Sequence, residues 1–392
     1  MKKVFVFVFS LVLLVLAGTT VFADSGPGWS DPVEIVRNEG DEYLENPKLF
    51  SDNALWVMYE QYPSFGIGRT ADGTTWETSP QRGPMFGGFY SSPKPVAVTP
   101  HDVGEEALHF EFIRTTAEKT QIFRKGLRVY TPEGFGGGGD TWITEMDPYY
   151  AHWRYNAVDY ENDHHIVWRN FYNGAVQYIR LEDHGLDRTD PVTITSEFQE
   201  GGAPALWVGS ERVVVVADDT TDGFQYYQSW AYISEDGGQT WSDKMYIGEG
   251  AHPRIAQLEE NLVVLLQSGS SNRIMSFVSR DLGDYWEGPN YLATGDFPNL
   301  ESLTASAEVA VAAWSENDNI YAAFSYDGRS WEEDLVFSSD VHSRRPDVAI
   351  WDDQIHVVWK EAANGSEPER ILISSRDLPR YKLFMPLVAK NW

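Results

Sequence analysis

Ser234-Glu-Asp236-Gly-Gly238-Gln-Thr-Trp241 and Ser279-Arg-Asp281-Leu-Gly283-Asp-Tyr-Trp286 share one spacing, Ser-x-Asp-x-Gly-x-x-Trp. Thr70-Ala-Asp72-Gly73-Thr-Thr-Trp76 and Ser325-Tyr-Asp327-Gly328-Arg-Ser-Trp331 keep the same order one residue shorter. A hydroxyl and a carboxylate two positions apart can accept the N–H groups of a tight turn, glycine supplies positive φ, and the tryptophan folds back over the turn. Apolar runs such as Ile274 to Val278 and Ile320 to Phe324 precede the turns, and extended segments follow. Each turn is therefore predicted to clasp the third strand of a repeated unit to its fourth, a structural task rather than a chemical one.

Around the clasps runs a unit of about 45 to 60 residues, the period of propeller blades. Its opening recurs at Asn46-Pro47-Lys48, Ser92-Pro93-Lys94, His152-Trp153-Arg154, Ala203-Pro204-Ala205, His252-Pro253-Arg254, Phe297-Pro298-Asn299 and Arg345-Pro346-Asp347. A strand, a turn and a strongly apolar second strand follow each, as in Arg212 to Ala217 and Asn261 to Leu266. Degraded clasps at Thr131 to Gly134, Leu181 to Gly185 and Ser375 to Pro379 complete the units. The expected fold is all-β: a single β-propeller of four-stranded blades, seven in number with six as the alternative. Trp29-Ser30-Asp31 and the run Pro32 to Val36 copy Trp241-Ser242-Asp243 and its strand without a preceding clasp. They are expected to form an N-terminal outer strand that closes the last blade and removes an open edge.

Residues 1–23 begin with Lys2 and Lys3, continue apolar to Leu16 and end at Val21-Phe-Ala23, the pattern of a cleavable secretory signal, which implies a secreted or cell-surface protein. The propeller is assigned to 24–380. The tail 381–392 is unlike the blades and reads either as a sorting or attachment element or as a strand packed on the last blade. Without the leader, 28 basic side chains face 59 acidic ones, which argues against nucleic acid and anionic lipid as general partners; no later segment is long and apolar enough to span a membrane. The chain has 392 residues and no cysteine, so disulfides, thiolate zinc and thiol catalysis are excluded. Gly134 to Gly139 lacks a following Lys-Ser/Thr and reads as a hairpin, not a phosphate loop. No cofactor and no metal site are expected, His164-His165 is read as a surface turn without a third ligand, and a monomer is expected.

The four quoted clasps resemble the Asp-box (BNR repeat) of the sialidase-like superfamily of β-propellers. The resemblance implies the fold and leaves activity open. Catalytic sialidases of that superfamily are six-bladed and hold a carboxylate with three arginines, the first in an Arg-Ile-Pro motif, beside a Tyr–Glu nucleophile and an Asp acid/base. No Arg-Ile-Pro occurs in this chain. Two-propeller xyloglucan hydrolases and non-catalytic assembly or receptor propellers carry the same boxes, so a glycoside hydrolase, a carbohydrate-binding propeller and a protein-interaction propeller are all compatible.

A propeller leaves one shared concavity, the mouth of its axial channel, lined by the unit openings and the ends of the second strands. The openings gather Lys48, Lys94, His152, Arg154, Tyr155, His252, Arg254, Arg344 and Arg345 as candidate ligand-binding residues. Such a ring would suit an acidic glycan; pairing with Glu45, Glu301 and Asp347 is the alternative use of the same charges. Second-strand ends supply Glu60, Glu111, Asp218, Glu316 and Glu361 as candidate catalytic acids, since glycoside hydrolysis needs two carboxyl groups flanking the scissile bond. Trp168, Trp314 and Trp359 occupy equivalent strand positions and are read as packing residues.

Overall fold

A computed structural model describes residues 24–38, 43–61, 64–78, 89–101, 105–115, 120–130, 134–136, 140–146, 155–170, 173–182, 187–196, 201–221, 226–268, 272–295, 298–339, 341–362 and 368–379. The leader 1–23, the tail 381–392 and the opening residues His152 and Arg154 lie outside these, as do the side chains of Lys94, Glu111 and Tyr155.

The chain is an all-β propeller of four-stranded blades. The described strands form seven antiparallel sheets. The first holds Leu44–Ser51, Leu55–Gln61, Ser64–Thr70 and Glu77–Thr78, and the second is led by Phe89–His101 and Glu105–Thr115. The third runs through Tyr155–Tyr160, Asp163–Arg169 and Val176–Glu182, the fourth through Ala205–Val208, Val213–Thr221, Tyr226–Ser234 and Met245–Glu249. The fifth contains Ala251–Leu258, Asn261–Ser268, Arg273–Ser279 and Glu287–Thr294, and the sixth Asn299–Ala305, Ala310–Glu316, Asn319–Ser325 and Glu332–Ser338. Ser343–Trp351, Gln354–Glu361 and Arg370–Asp377 make three strands of the seventh, and Val33–Arg37 lies antiparallel to the last of them, Val33 opposite Ile373. The leading strands touch in sheet order, and Ser343–Trp351 touches Leu44–Ser51.

Second strands are near-continuous β-branched or aliphatic runs because both of their faces are covered. Val213 to Ala217 and Leu262 to Leu266 are fully buried. Val214, Val216 and Ile233 of the fourth sheet pack on Leu262, Val264 and Phe277 of the fifth, and Val311 and Phe324 of the sixth on Val357 and Trp359 of the seventh. Ile35, Leu55, Val57, Val358 and Ile371 join the seventh sheet to the first. Trp56, Trp168, Trp314 and Trp359 are wholly buried, which places the strand-end tryptophans in the packing.

The clasps are built as their residue types dictate. Ser234 Oγ donates to Asp236 Oδ1 at 2.8 Å, Gly238 N donates to Ser234 Oγ at 2.7 Å, and Thr240 N to Asp236 Oδ1 at 2.8 Å. Gly238 has φ of 92°, and a Cβ there would sit 2.0 Å from the Tyr178 ring of the third sheet, so only glycine lets the turn dock on its neighbour. Trp241 returns to donate Nε1–H to Gly238 O at 3.1 Å and meets Tyr178 edge-on. Hydrogen bonds from the Thr240 hydroxyl and from the turn's N–H groups hold the Asp236 carboxyl down at about 2. A depressed native value stabilises above the unfolded carboxyl range near 4, and that contribution disappears as pH falls toward 2. Asp236→Ala is expected to cost about 1 kcal/mol, discounted for its exposure, and to flatten the chemical-denaturation midpoint between about pH 4 and 2.

One sequence expectation is overturned. His164 and His165 are not in a surface turn but begin the strand Asp163–Arg169, 0% and 3% exposed. Their burial follows from pairing on both sides, with Tyr155–Tyr160 and Val176–Glu182, and His165 Nδ1 lies 2.5 Å from the Tyr178 hydroxyl. Neighbouring polar residues hid the strand start.

Candidate functional site at the axial mouth

Five of the seven described leading strands carry a register shift near their start. It falls between Glu45 and Lys48, Ser91 and Lys94, Ala251 and Arg254, Leu300 and Ser302, and Arg344 and Asp347. Asn46, His252 and Arg345, each followed by proline, hold φ of 47°, 54° and 56°. Non-glycine residues in the left-handed region are strained, and a bulge there turns the side chain off the sheet plane. Proline's missing N–H suits a position where the ladder is interrupted.

The cations at these bulges are held by neighbouring sheets. Arg254 donates from Nε to Glu301 O at 2.7 Å and from Nη1 to Pro253 O at 2.9 Å, so its fork is occupied by backbone carbonyls between the fifth and sixth sheets. Arg345 Nε lies 3.0 Å from Glu45 Oε2, and another of its nitrogens donates to Asn46 Oδ1, between the seventh and first sheets. Glu45 also receives Arg344 at 3.2 Å and the buried Lys360 at 2.7 Å. Lys360 reaches Glu369 at 2.8 Å, and Lys48 lies 3.7 Å from Asp347. Arg254 and Arg345 thus enter separate blade interfaces instead of converging on one ligand carboxylate. Burial is the main pull lowering the pKa of each; Glu301 opposes it in both, joined by Asp347 and Asp218 at Arg254 and by Glu45 and Glu60 at Arg345. Arginine remains charged regardless. These couplings run as one alternating chain of charge from the fourth sheet to the first.

The candidate acids separate by environment. Asp218 is fully buried against Arg169, with Nη2 3.1 Å from Oδ1, and accepts N–H groups from Gly202 at 2.9 Å and His252 at 3.1 Å. It ties the fourth sheet to the segment that precedes it and to the leading strand of the fifth. Glu361, 3% exposed, accepts from Arg370 and from Ser339 Oγ at 3.0 Å. The Glu316 carboxylate lies against Gly295 and, after burial, is the second influence raising the pKa of Glu333 on the sheet's outer strand. Glu60 is the half-buried acid at the mouth, accepting from Asn46 Nδ2 at 2.6 Å. Asn46 in turn accepts from Arg345, so Glu60 is oriented by a two-step polar chain across a blade interface.

Arg169 and Lys360 were not singled out from sequence. Both follow a second-strand tryptophan, in Trp168-Arg169 and Trp359-Lys360, and this recurrence is the signal that could have marked them as buried partners of mouth acids.

No protein-family model and no curated protein matched the chain. Among solved structures it is similar to a polysaccharide lyase of family PL25, an ulvan lyase bound to -[GlcA(1-4)Rha3S]-, at 11% identity with TM-score 0.54, covering 89% of this chain and 94% of that one. It is similar to the α-L-arabinofuranosidase Arb93A from Fusarium graminearum, at 12% identity and TM-score 0.50 over 88% and 98% of the two chains. A sialidase from Trypanosoma rangeli matches at 14% identity with TM-score 0.48, over 90% of this chain and 59% of that longer protein. At these identities the likeness concerns the fold.

Proposed function

We propose that the chain is an exported, glycan-recognising propeller whose seven sheets act as seven blades shut by the strand Val33–Arg37, and whose mouth binds a hydroxyl-rich sugar beside Glu60. The observation that supports this reading most is the set of left-handed bulges at Asn46, His252 and Arg345, strain repeated at equivalent axial positions in three sheets. The preference for an acidic glycan expected from the sequence is dropped, because Arg254, Arg344, Arg345 and Lys48 already spend charge on carboxylates and carbonyls. A neutral glycan needs only fixed acceptors and donors, which the Asn46–Glu60 pair and its neighbours supply.

Recognition without hydrolysis is the favoured form. A glycosidase needs two carboxyl groups about 5 to 9.5 Å apart on either side of the bond. Asp218 is held by the buried Arg169, Glu361 by Arg370 and Ser339, and the Glu316 carboxylate lies against Gly295, which leaves Glu60 without a second described candidate beside it. Binding on a neutral glycan array, followed by calorimetry, is expected to weaken about 10- to 100-fold in Glu60→Gln with the melting temperature little changed. Turnover of aryl glycosides that disappears in Glu60→Gln would replace the binding reading by a hydrolytic one. Unaltered glycan affinity in that variant would remove the mouth from consideration.

A further inference from the structure

At the opposite end of the sheets from the mouth lies a cavity of about 880 Å³ between the third, fourth and fifth sheets, within the size range of ligand sites. Its walls come from the turn after Tyr155–Tyr160, the turn at Gly209 and Ser210, the end of Ala251–Leu258 and two clasps. The clasps were expected to be structural only; here they also form a wall.

The polar groups on that wall are fixed in place. Arg180 donates from Nε to Asp163 at 2.8 Å and from Nη2 to the same carboxylate. Arg212 bridges Glu235 at 2.9 Å and Asp284 at 3.0 Å, and its Nη1 also donates to Asp281 O at 3.0 Å. Trp207 supplies an apolar plane folded over Gly209, where a Cβ would lie 2.4 Å from the ring. His165 is 3% exposed yet lines the cavity, and its Nδ1 is engaged by the Tyr178 hydroxyl, which lies 3.3 Å from Gly237 O. When Tyr178 donates to Gly237, Nδ1–H donates to Tyr178, and Nε2 is the acceptor left for a ligand; the other tautomer makes it a donor. Burial first, then the Arg180 charge, lowers the imidazole to about 4, so the ring is neutral at pH 7.

An anion in this cavity would face Glu161, Asp163, Glu211, Glu235 and Asp236, and a cation would have to displace Arg180 and Arg212 from the carboxylates they already hold. A neutral polyhydroxyl molecule meets neither penalty. Its hydroxyls can both donate and accept, and its ring faces can stack on an indole. We propose that this cavity is a second, mouth-independent carbohydrate site for a neutral oligosaccharide, with His165 and Trp207 as its recognition residues. The proposal stands whether or not the mouth binds sugar.

Calorimetric titration of the mature chain with neutral trisaccharides of glucose, xylose, galactose and mannose, and separately with spermidine, tests it. Binding of at least one trisaccharide is expected, about tenfold weaker in His165→Phe. In the Glu60→Gln background, where the mouth contribution is weakened, Ser210→Trp, an exposed turn position that carries no core packing, should close the cavity and abolish the binding that remains. The proposal is overturned by absence of trisaccharide binding up to about 10 mM, by affinity for spermidine alone, or by affinity in Glu60→Gln that survives the addition of Ser210→Trp. Loss in Glu60→Gln with retention in Ser210→Trp would assign the sugar to the mouth and remove the cavity site while keeping the mouth reading.

Discussion

Asp218→Ala is expected to lower the stability of this propeller by about 3 to 5 kcal/mol, the cost of leaving a buried charge without its partner. Asp218 and Arg169 are both fully inaccessible, and the carboxylate also receives the Gly202 and His252 N–H groups. Alanine would leave the Arg169 charge facing only the Gly202 and Asp218 carbonyls and would remove the acceptor of the Gly202 and His252 N–H groups. Asp218→Asn should cost less, since the amide oxygen still accepts while the charge attraction is lost. The double variant Arg169→Met with Asp218→Leu removes both charges and should recover part of the deficit, because a buried ion pair gives little net stability over well-packed apolar groups. Urea denaturation of the four proteins checks this; equal midpoints for Asp218→Ala and the unaltered chain would show that the pair does not anchor the fourth sheet. His252 makes this loss visible at the mouth as well, since its strained backbone is held through Asp218.

What could be read from sequence follows from what repeats. The clasps have a local cause: serine, aspartate and glycine satisfy one turn within a few residues, so Ser234 to Trp241 and Ser325 to Trp331 declare themselves without tertiary information. The openings repeat as well, and the register shift at Asn46-Pro47, Ser92-Pro93, His252-Pro253 and Arg345-Pro346 explains why that dipeptide recurs there. Side-chain partners across blade interfaces do not repeat, because each interface pairs two different sheets. Arg345 and Glu45 are 300 positions apart, and nothing local tells whether a guanidinium at a bulge turns toward the axis or into the neighbouring blade. Whether Arg254 and Arg345 form an open ring or pair with neighbouring acids and carbonyls could therefore not be decided from their positions along the chain. The cavity at the clasp end was invisible for the same reason, since its walls are drawn from three sheets. His164 and His165 were misread because two polar residues at a strand start look like a turn until both neighbouring strands are known.

Acidification supplies the second large effect, through two buried imidazoles. His165 and His356 are both lowered to about 4 from an ordinary value of 6.5, burial being the main cause in each. Around His165, Arg180 and His164 oppose the charged form and Asp163 favours it; around His356, the Trp351 carbonyl and Asp352 favour it without overcoming burial. The unfolded chain binds protons at these rings near pH 6.5 while the native chain does not until about 4. Native values depressed in this way mean that the stabilisation is complete above about 6.5 and is lost as pH falls to about 4, after which the contribution is flat. Each ring accounts for about 3 kcal/mol over that window. The net charge of −29 at pH 7 works in the other direction, since acidification relieves self-repulsion, so the unaltered chain alone cannot isolate the histidines. His356→Gln keeps a polar group near Ser375 Oγ, which lies 2.7 Å from Nδ1, and removes one titration. The difference in unfolding free energy between the two proteins, measured by urea at pH 7.5, 6, 5 and 4, should therefore shrink steadily by about 3 kcal/mol on going to pH 4. A difference independent of pH would mean that His356 titrates in the native propeller as it does in the unfolded chain, and that the packing between Trp351 and Ser375 admits the imidazolium.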